Sequence, residues 1–335
     1  MISIQRFAFV SLFLFLLCGC VNTSKKYDDE SGTPIELKYA KFLRMSEDNE
    51  GVIATIINPW DSTSVLQTIR IERPKKNAVI MALPHCGLLD SLGCAALYTN
   101  MSDDVVPNVE RIANLNADVI LVSPFENCGG FGGIETLGID IVQCADYMES
   151  TPLGRAEWMR FFGRLFGQGE KADSLFNSIE QNYLQISQPK YAESPTVAFD
   201  LITGSTWYVP GGDSYIANLV YDAGGKYIFA DRKTSGSLPL APENVFDKSL
   251  DADKWIIRYS QETEMTLTQL GQESPHYSRM NSFQTGNVYG CNLSKVHYFE
   301  ETPFHPDLLL RDFIGILHST ELTSIESLRY FKKLN

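Results

Sequence analysis

Several patterns that would commit a chain to chemistry are missing from this sequence. Its seven cysteines contain no Cys-x-x-Cys pair, which excludes a zinc ribbon and a thioredoxin-type redox motif. The glycine-rich stretch Cys128-Gly129-Gly130-Phe131-Gly132-Gly133 has neither a Gly-Lys-Ser/Thr ending nor Gly-x-Gly-x-x-Gly spacing, so it reads as a turn rather than a phosphate loop. Gly204-Ser205 and Gly236-Ser237 are not nucleophile elbows, and no nucleophile–base pair stands out. Catalysis has no positive support. Of the five histidines, His276, His297, His305 and His318 come late and without ligand spacing, which argues against capture of a free metal ion. Positive charge is also scarce. With 28 Lys and Arg against 41 Asp and Glu, and no basic cluster, nucleic acid is excluded as a partner.

A membrane-spanning run is missing too. Phe7–Leu17 is uncharged and apolar for about eleven residues, whereas a spanning helix needs about twenty. With Arg6 before it and small residues after it, the run reads as a cleaved signal peptide, residues 1–19. It closes on Leu17-Cys18-Gly19-Cys20, which resembles a bacterial lipobox and implies a lipid on Cys20, with Cys18 where Ala or Ser is usual. Residues 20–34 are polar and read as a flexible, lipidated tether. Within it Lys25–Glu30 is a solvated charge run, and its lysine-then-acidic order also occurs in surface-sorting signals. The expected location is the periplasmic side of the envelope, with membrane contact through the anchor only. Of the other cysteines, Cys86, Cys94, Cys128, Cys144 and Cys291 read mainly as small core residues.

The chain as a whole is 44% apolar and 21% charged, an ordinary globular composition, and the part beyond the tether is long enough for two lobes. Ile35–Arg73 alternates like a β-hairpin or a meander, broken at Asn58–Asp61. Ala78–Leu83, Ala117–Val122 and Ile139–Cys144 are short apolar runs, the mark of parallel strands buried on both faces. Helical stretches at Leu88–Thr99 and Val109–Leu115 alternate with them, giving an α/β lobe over 35–155. From Gly154 to Ile186 apolar residues recur at helical spacing, and 156–188 is expected to be one rigid inter-lobe helix, with an irregularity at Gly167-Gln168-Gly169. A second α/β series fills 189–335: strands at Thr196–Ile202 and Lys254–Arg258, helices at Asp213–Asp222 and Asp307–His318. The lobes also echo each other. Asp90–Gly93, Glu110-Arg111-Ile112 and Ala117–Ile120 in the first match Asp222–Gly225, Glu243-Asn244-Val245 and Ala252–Ile256 in the second. Two similar lobes across a cleft make a natural small-molecule site.

These motifs in this order, with Tyr147–Trp158 and Trp207–Tyr215, resemble the class III periplasmic binding proteins of Bacteroidetes type. The resemblance covers roughly residues 51–320. It implies two Rossmann-like α/β lobes joined by a long rigid helix, no enzymatic activity and no intrinsic cofactor. The implied cargo is a metal chelate (ferric siderophore, haem or cobalamin), handed to an ABC permease dimer with its ATPase subunits. Glu110 and Glu243 match the family's permease-docking glutamates. Two carboxylates on a rigid frame can meet two guanidiniums bidentately; the plainer reading is helix N-terminal glutamates placed for the macrodipole. Ligand contacts are expected from strand-end loops: His85, Glu126, Asn127 and Tyr147 in the first lobe; Trp207, Tyr208, Arg258, Tyr259, Tyr298 and Glu301 in the second. Aromatic faces suit a flat chelate, and Arg or His its carboxylates or metal. The rival is a non-transport lipoprotein, a sensor or scaffold, or a cleft enzyme on the same fold.

Overall fold

A computed structural model describes residues 32–104, 107–126, 129–187, 191–318 and 328–335. The expected signal peptide and lipid-bearing Cys20 lie outside these residues, as do Asn127 and Cys128.

Of the two forms expected for the first segment, hairpin or meander, the structure has the meander. Strands β1 (Thr33–Ile35), β2 (Leu43–Asp48), β3 (Gly51–Ile57) and β4 (Val65–Ile71) pair antiparallel in chain order. A parallel sheet follows, from β5 (Ala78–Ile80), β6 (Tyr98–Asn100), β7 (Val119–Val122) and β8 (Asp140–Gln143), in the order β6-β5-β7-β8. Its residues alternate between two apolar cores: Ala78, Ile80, Val119 and Leu121 enter one, Val79, Ile120 and Val122 the other. That two-sided burial is why these strands read as continuous apolar runs. Between them run α1 (Leu83–Ser91) and α2 (Val109–Ala113). Helix α1 begins five residues before the helical stretch expected at Leu88. Pro84 sits in its first turn, where a missing N–H costs nothing, so the last residues of the run expected as a strand over Ala78–Leu83 open a helix instead. Tyr98 and Thr99, expected in that helix, form β6.

The expected single inter-lobe helix is three helices: α3 (Pro152–Glu157), α4 (Met159–Leu165) and α5 (Gly169–Ile186). Gly167 takes φ 72°, the left-handed conformation that favours glycine at a helix C-terminus. The Gln168 N–H reaches the Gly163 carbonyl at 2.6 Å and the Gly167 N–H the Arg164 carbonyl at 3.3 Å, which is a Schellman closure. Helix α4 therefore ends here, and α5 packs back against it through Arg160–Asp173 and Arg164–Asp173 ion pairs. The connector proper is α5, 18 residues or about 27 Å long. Its Ala172, Phe176 and Ile179 enter the first lobe's core and Tyr183 the second's.

The second lobe contains β9 (Thr196–Phe199), β10 (Ile202–Thr203), β11 (Thr206–Pro210), α6 (Tyr215–Asp222), β12 (Lys226–Tyr227), β13 (Ser237–Leu240), α7 (Pro242–Ser249) and β14 (Lys254–Tyr259). After these come α8 (Leu267–Glu273), α9 (Asn281–Gln284), β15 (Val288–Asn292), α10 (Tyr298–Glu301), α11 (Pro306–His318) and β16 (Lys332–Lys333). The main sheet runs β12-β9-β14-β15-β16, parallel apart from β16. Taking β5 with β9, β6 with β12, β7 with β14 and β8 with β15, the two parallel sheets have the same strand order. The echo in the sequence is a structural repeat. Cys86, Cys94, Cys144 and Cys291 are buried free thiols.

The C-terminal tail is tied to α11 by Asp312, which accepts the Arg329 N–H at 2.9 Å and the Tyr330 N–H at 2.7 Å. Burial raises its pKa to about 6 despite these hydrogen bonds. An acid whose pKa is higher folded than unfolded contributes stability at low pH that fades as pH rises. The contribution of Asp312, at most about 3 kcal/mol, should fall away between about pH 4 and pH 6 and then stay flat. Thermal melts of wild type and Asp312→Asn should diverge across that window; parallel curves would refute the assignment.

Candidate functional site

Ligands of open α/β sheets collect at the carboxyl ends of the strands, and those ends meet at the lobe junction. Helix α3, after β8, packs on α6, and α1, after β5, packs on α10, after β15. The second contact is tight: a Cβ on Gly87 would lie 2.2 Å from the Glu300 carbonyl oxygen, so only glycine fits. Just beyond α10, Phe304 buries itself in the first lobe's core against Phe162 and His85. The lobes are thus tied by α5 and by the 298–304 segment, and Asn218 Nδ2 donates across to the Ser150 carbonyl at 2.8 Å.

A row of polar side chains crosses this junction. Buried Asp146, just after β8, accepts from His85 Nε2 at 2.8 Å and from Arg155 Nε at 3.2 Å. Burial works against its charge, but His85 and Arg155 outweigh it and hold the carboxyl below its usual pKa. His85 Nδ1 is buried without a partner. The Arg155 guanidinium lies 4.9 Å from the ring centre of Tyr215, which opens α6 of the other lobe. In the same lobe as Tyr215, Arg258 stands at the end of β14. Arg258 donates to Asp200 through Nε at 2.8 Å and Nη2 at 2.5 Å, and its guanidinium lies 5.6 Å from the Phe299 ring. Burial opposes the Arg258 charge, yet Asp200 overcomes it and raises the pKa. Asp200 itself holds a left-handed φ of 60° directly after β9, a conformation Asp tolerates better than most residues. A quarter of the Arg258 side chain stays accessible, and Nη1 lies outside the pair with Asp200. The row leaves one partly open cation, fixed in direction and flanked by aromatic rings.

Several expected ligand contacts are placed elsewhere. Trp207 is in the core and donates from Nε1 to the Phe199 carbonyl. Side chains alternate along β11, so Trp207 points in and Tyr208 out. His85 and Tyr298 are buried. Tyr259 is buried with its hydroxyl on Glu264, and Glu301 is engaged by Arg329 and Tyr330. Tyr147 is half-buried, its hydroxyl donating to the Pro124 carbonyl, and burial pushes it to about 12. Glu126 and Tyr208 are exposed, with Phe125 exposed beside Glu126. A recess of about 320 Å³ opens at the ends of β5 and β7 between Met81, Ser123, Phe125 and Phe131. Arg155, Tyr215 and Asp200 were not singled out from the sequence. Arg155 and Tyr215 nevertheless lie within the two stretches, Tyr147–Trp158 and Trp207–Tyr215, on which the resemblance rests. Among the described residues, no cluster of three His, Cys, Asp or Glu side chains is placed to hold a metal ion.

Glu110 and Glu243 occupy equivalent places, each exposed in the first turn of the helix leading into β7 or, in the second lobe, into β14. Among the described residues neither carboxylate has an ion-pair partner. The sequence model of the periplasmic binding protein family matches residues 96–293, from just before β6 to just after β15. The chain belongs to that family. Its paired lobes and helical connector have the class III arrangement. An uncharacterised lipoprotein of Methanocaldococcus jannaschii is 29% identical over 215 residues, 63% of this chain and 50% of the relative. The chain spans 50% and 59% of the length of the first two curated relatives it matches. A Saccharomonospora viridis protein of an ABC-type Fe3+-hydroxamate transport system aligns with TM-score 0.59 and 13% identity, over 78% of this chain and 98% of that one. The periplasmic haem-binding protein of Vibrio cholerae aligns with TM-score 0.55 and 15% identity, over 70% and 99%. At these identities the likeness is one of fold. No helix among the described residues is long and apolar enough to cross a membrane.

Proposed function

We propose that this periplasmic binding protein is the solute-binding component of an ABC importer, anchored through a lipid on Cys20 outside the cytoplasm. Its cargo is a metal chelate of the ferric siderophore, haem or corrinoid class, held between the lobes and passed to the permease through Glu110 and Glu243. The observation that carries this reading is Arg258: a cation kept charged by Asp200, partly open, and lined by Tyr298 and Phe299 rings. A guanidinium beside aromatic faces suits a ligand with both an anionic edge and a flat or apolar body. Membership of the family supports a binding role, and the two structural neighbours, one of an Fe3+-hydroxamate transport system and one haem-binding, support the cargo class.

Replacing Arg258 with Gln removes the charge and keeps much of the volume. A charge-assisted hydrogen bond contributes about 1.5–3 kcal/mol, so affinity should fall by about tenfold to a hundredfold. Trp255 donates to the Asp200 carbonyl, which places an intrinsic fluorophore on the pair that holds Arg258. Titrating the protein's tryptophan emission, to which Trp255 contributes, with a ferric hydroxamate, haem and cobalamin measures the loss. Equal affinity in wild type and variant for every chelate that binds would remove Arg258 from the site.

A further inference from the structure

We infer that a cavity beside Glu243 is a socket for a permease loop that presents an arginine next to an acidic residue; the inference rests on the importer reading above. The cavity, about 270 Å³, opens between α7 and the turn at 276–279. Its floor is aromatic: Trp207 and Tyr277 are fully buried, with ring centres 5.7 Å apart in an edge-on arrangement, and Phe246 forms one wall. Glu243 and Asp247 line the α7 side, one helical turn apart and both exposed. His276 and Arg279 line the other side, also exposed.

These opposite charges share one cavity without joining. Among the described residues no ion pair links them, and the Arg279 guanidinium rests instead 5.2 Å from the Phe246 ring centre. The result is an anionic wall and a cationic wall held apart over an apolar floor. An incoming guanidinium can pair with Glu243 and Asp247 at the rim, above the buried aromatic floor, and Phe246 in the wall already packs against one guanidinium, that of Arg279. The cationic wall then suits a neighbouring carboxylate, so the site selects a polarity as well as a charge. Buried aromatic floors under charged rims are where interface energy concentrates. Glu243 thus acts as one edge of a shaped pocket and not as an isolated surface charge.

The test measures binding of the full-length, ligand-free protein to the cognate permease–ATPase complex in lipid nanodiscs. Asp247→Lys and Arg279→Glu should each weaken binding about tenfold or more. Asp251→Lys, an equal charge change on an exposed residue outside the cavity, should leave it within about twofold. Phe246→Ala should also weaken binding, with its melting curve showing that the lobe stays folded. If Asp247→Lys and Arg279→Glu bind like wild type while the Glu110→Lys/Glu243→Lys double variant does not, the socket is overturned and glutamate docking stands. If the double variant also binds normally, both fall.

Discussion

Reversing the charge at both Glu110 and Glu243 should abolish stimulation of the importer's ATPase by the loaded protein while leaving chelate binding unchanged. The two carboxylates sit at matching places in two lobes with the same strand order, so each is carried on a short helix backed by a buried parallel sheet. A pair of charges fixed in this way sets orientation as well as attraction, because a partner must meet both at once. Each reversal replaces an attraction with a repulsion, and like-charge juxtaposition in an interface costs several kcal/mol. The double variant should therefore lose stimulation by a factor of 100 or more, on the order of 3 kcal/mol. Single variants should retain part of it. Both residues are exposed, so folding should be unaffected. Full stimulation by the double variant would mean that the glutamates only complement their helix dipoles.

The second large effect belongs to stability. Asp146→Ala should lower the unfolding free energy by about 3–5 kcal/mol, the usual cost of breaking a buried pair by removing one partner. Asp146 is the acceptor for both His85 and Arg155, and all three are buried. Without it the Arg155 guanidinium keeps the Tyr215 ring and loses its anion. Because Arg155 reaches across the junction, the loss should loosen the lobes relative to each other as well as the first lobe's core. Asp146→Asn keeps the volume and an acceptor oxygen and should cost distinctly less. Chemical denaturation compares the two, and equal, small losses would mean that Asp146 does not organise the junction. Linkage adds a pH signature. The Asp146 carboxyl is held below its usual pKa, so its contribution is present above the unfolded value of about 3.8 and is lost only as pH falls through the lower folded value.

The fold was legible because burial writes itself into sequence. Ala78–Ile80, Val119–Val122 and Asp140–Gln143 sit between two cores, so their apolar runs stand out, and the matched Glu and Ala-Asp motifs carried the repeat. The connector was harder to read. Trp158, Phe161, Phe162 and Leu165 keep helical spacing into α5, and the break depends on the left-handed conformation at Gly167, which periodicity does not register. At the site the difficulty was direction. Strand-end position alone does not distinguish Trp207, which points inward, from Tyr208, which points out, and only pairing in β11 decides it. His85 follows a strand as a ligand residue would, but Asp146, far along the chain, draws it into the interior. Arg258 was visible as a strand-end arginine. Its orientation depends on Asp200, a residue with no motif of its own.

The proposed metal chelate sits at the junction between the lobes. Calorimetric titration of the mature protein with a ferric hydroxamate, a ferric catecholate, haem and cobalamin tests this proposal most directly. Saturable one-to-one binding of at least one of them is expected, with a Kd below about 10 μM, roughly −7 kcal/mol. Absence of binding by all four at that level, from protein shown to be folded, would contradict it.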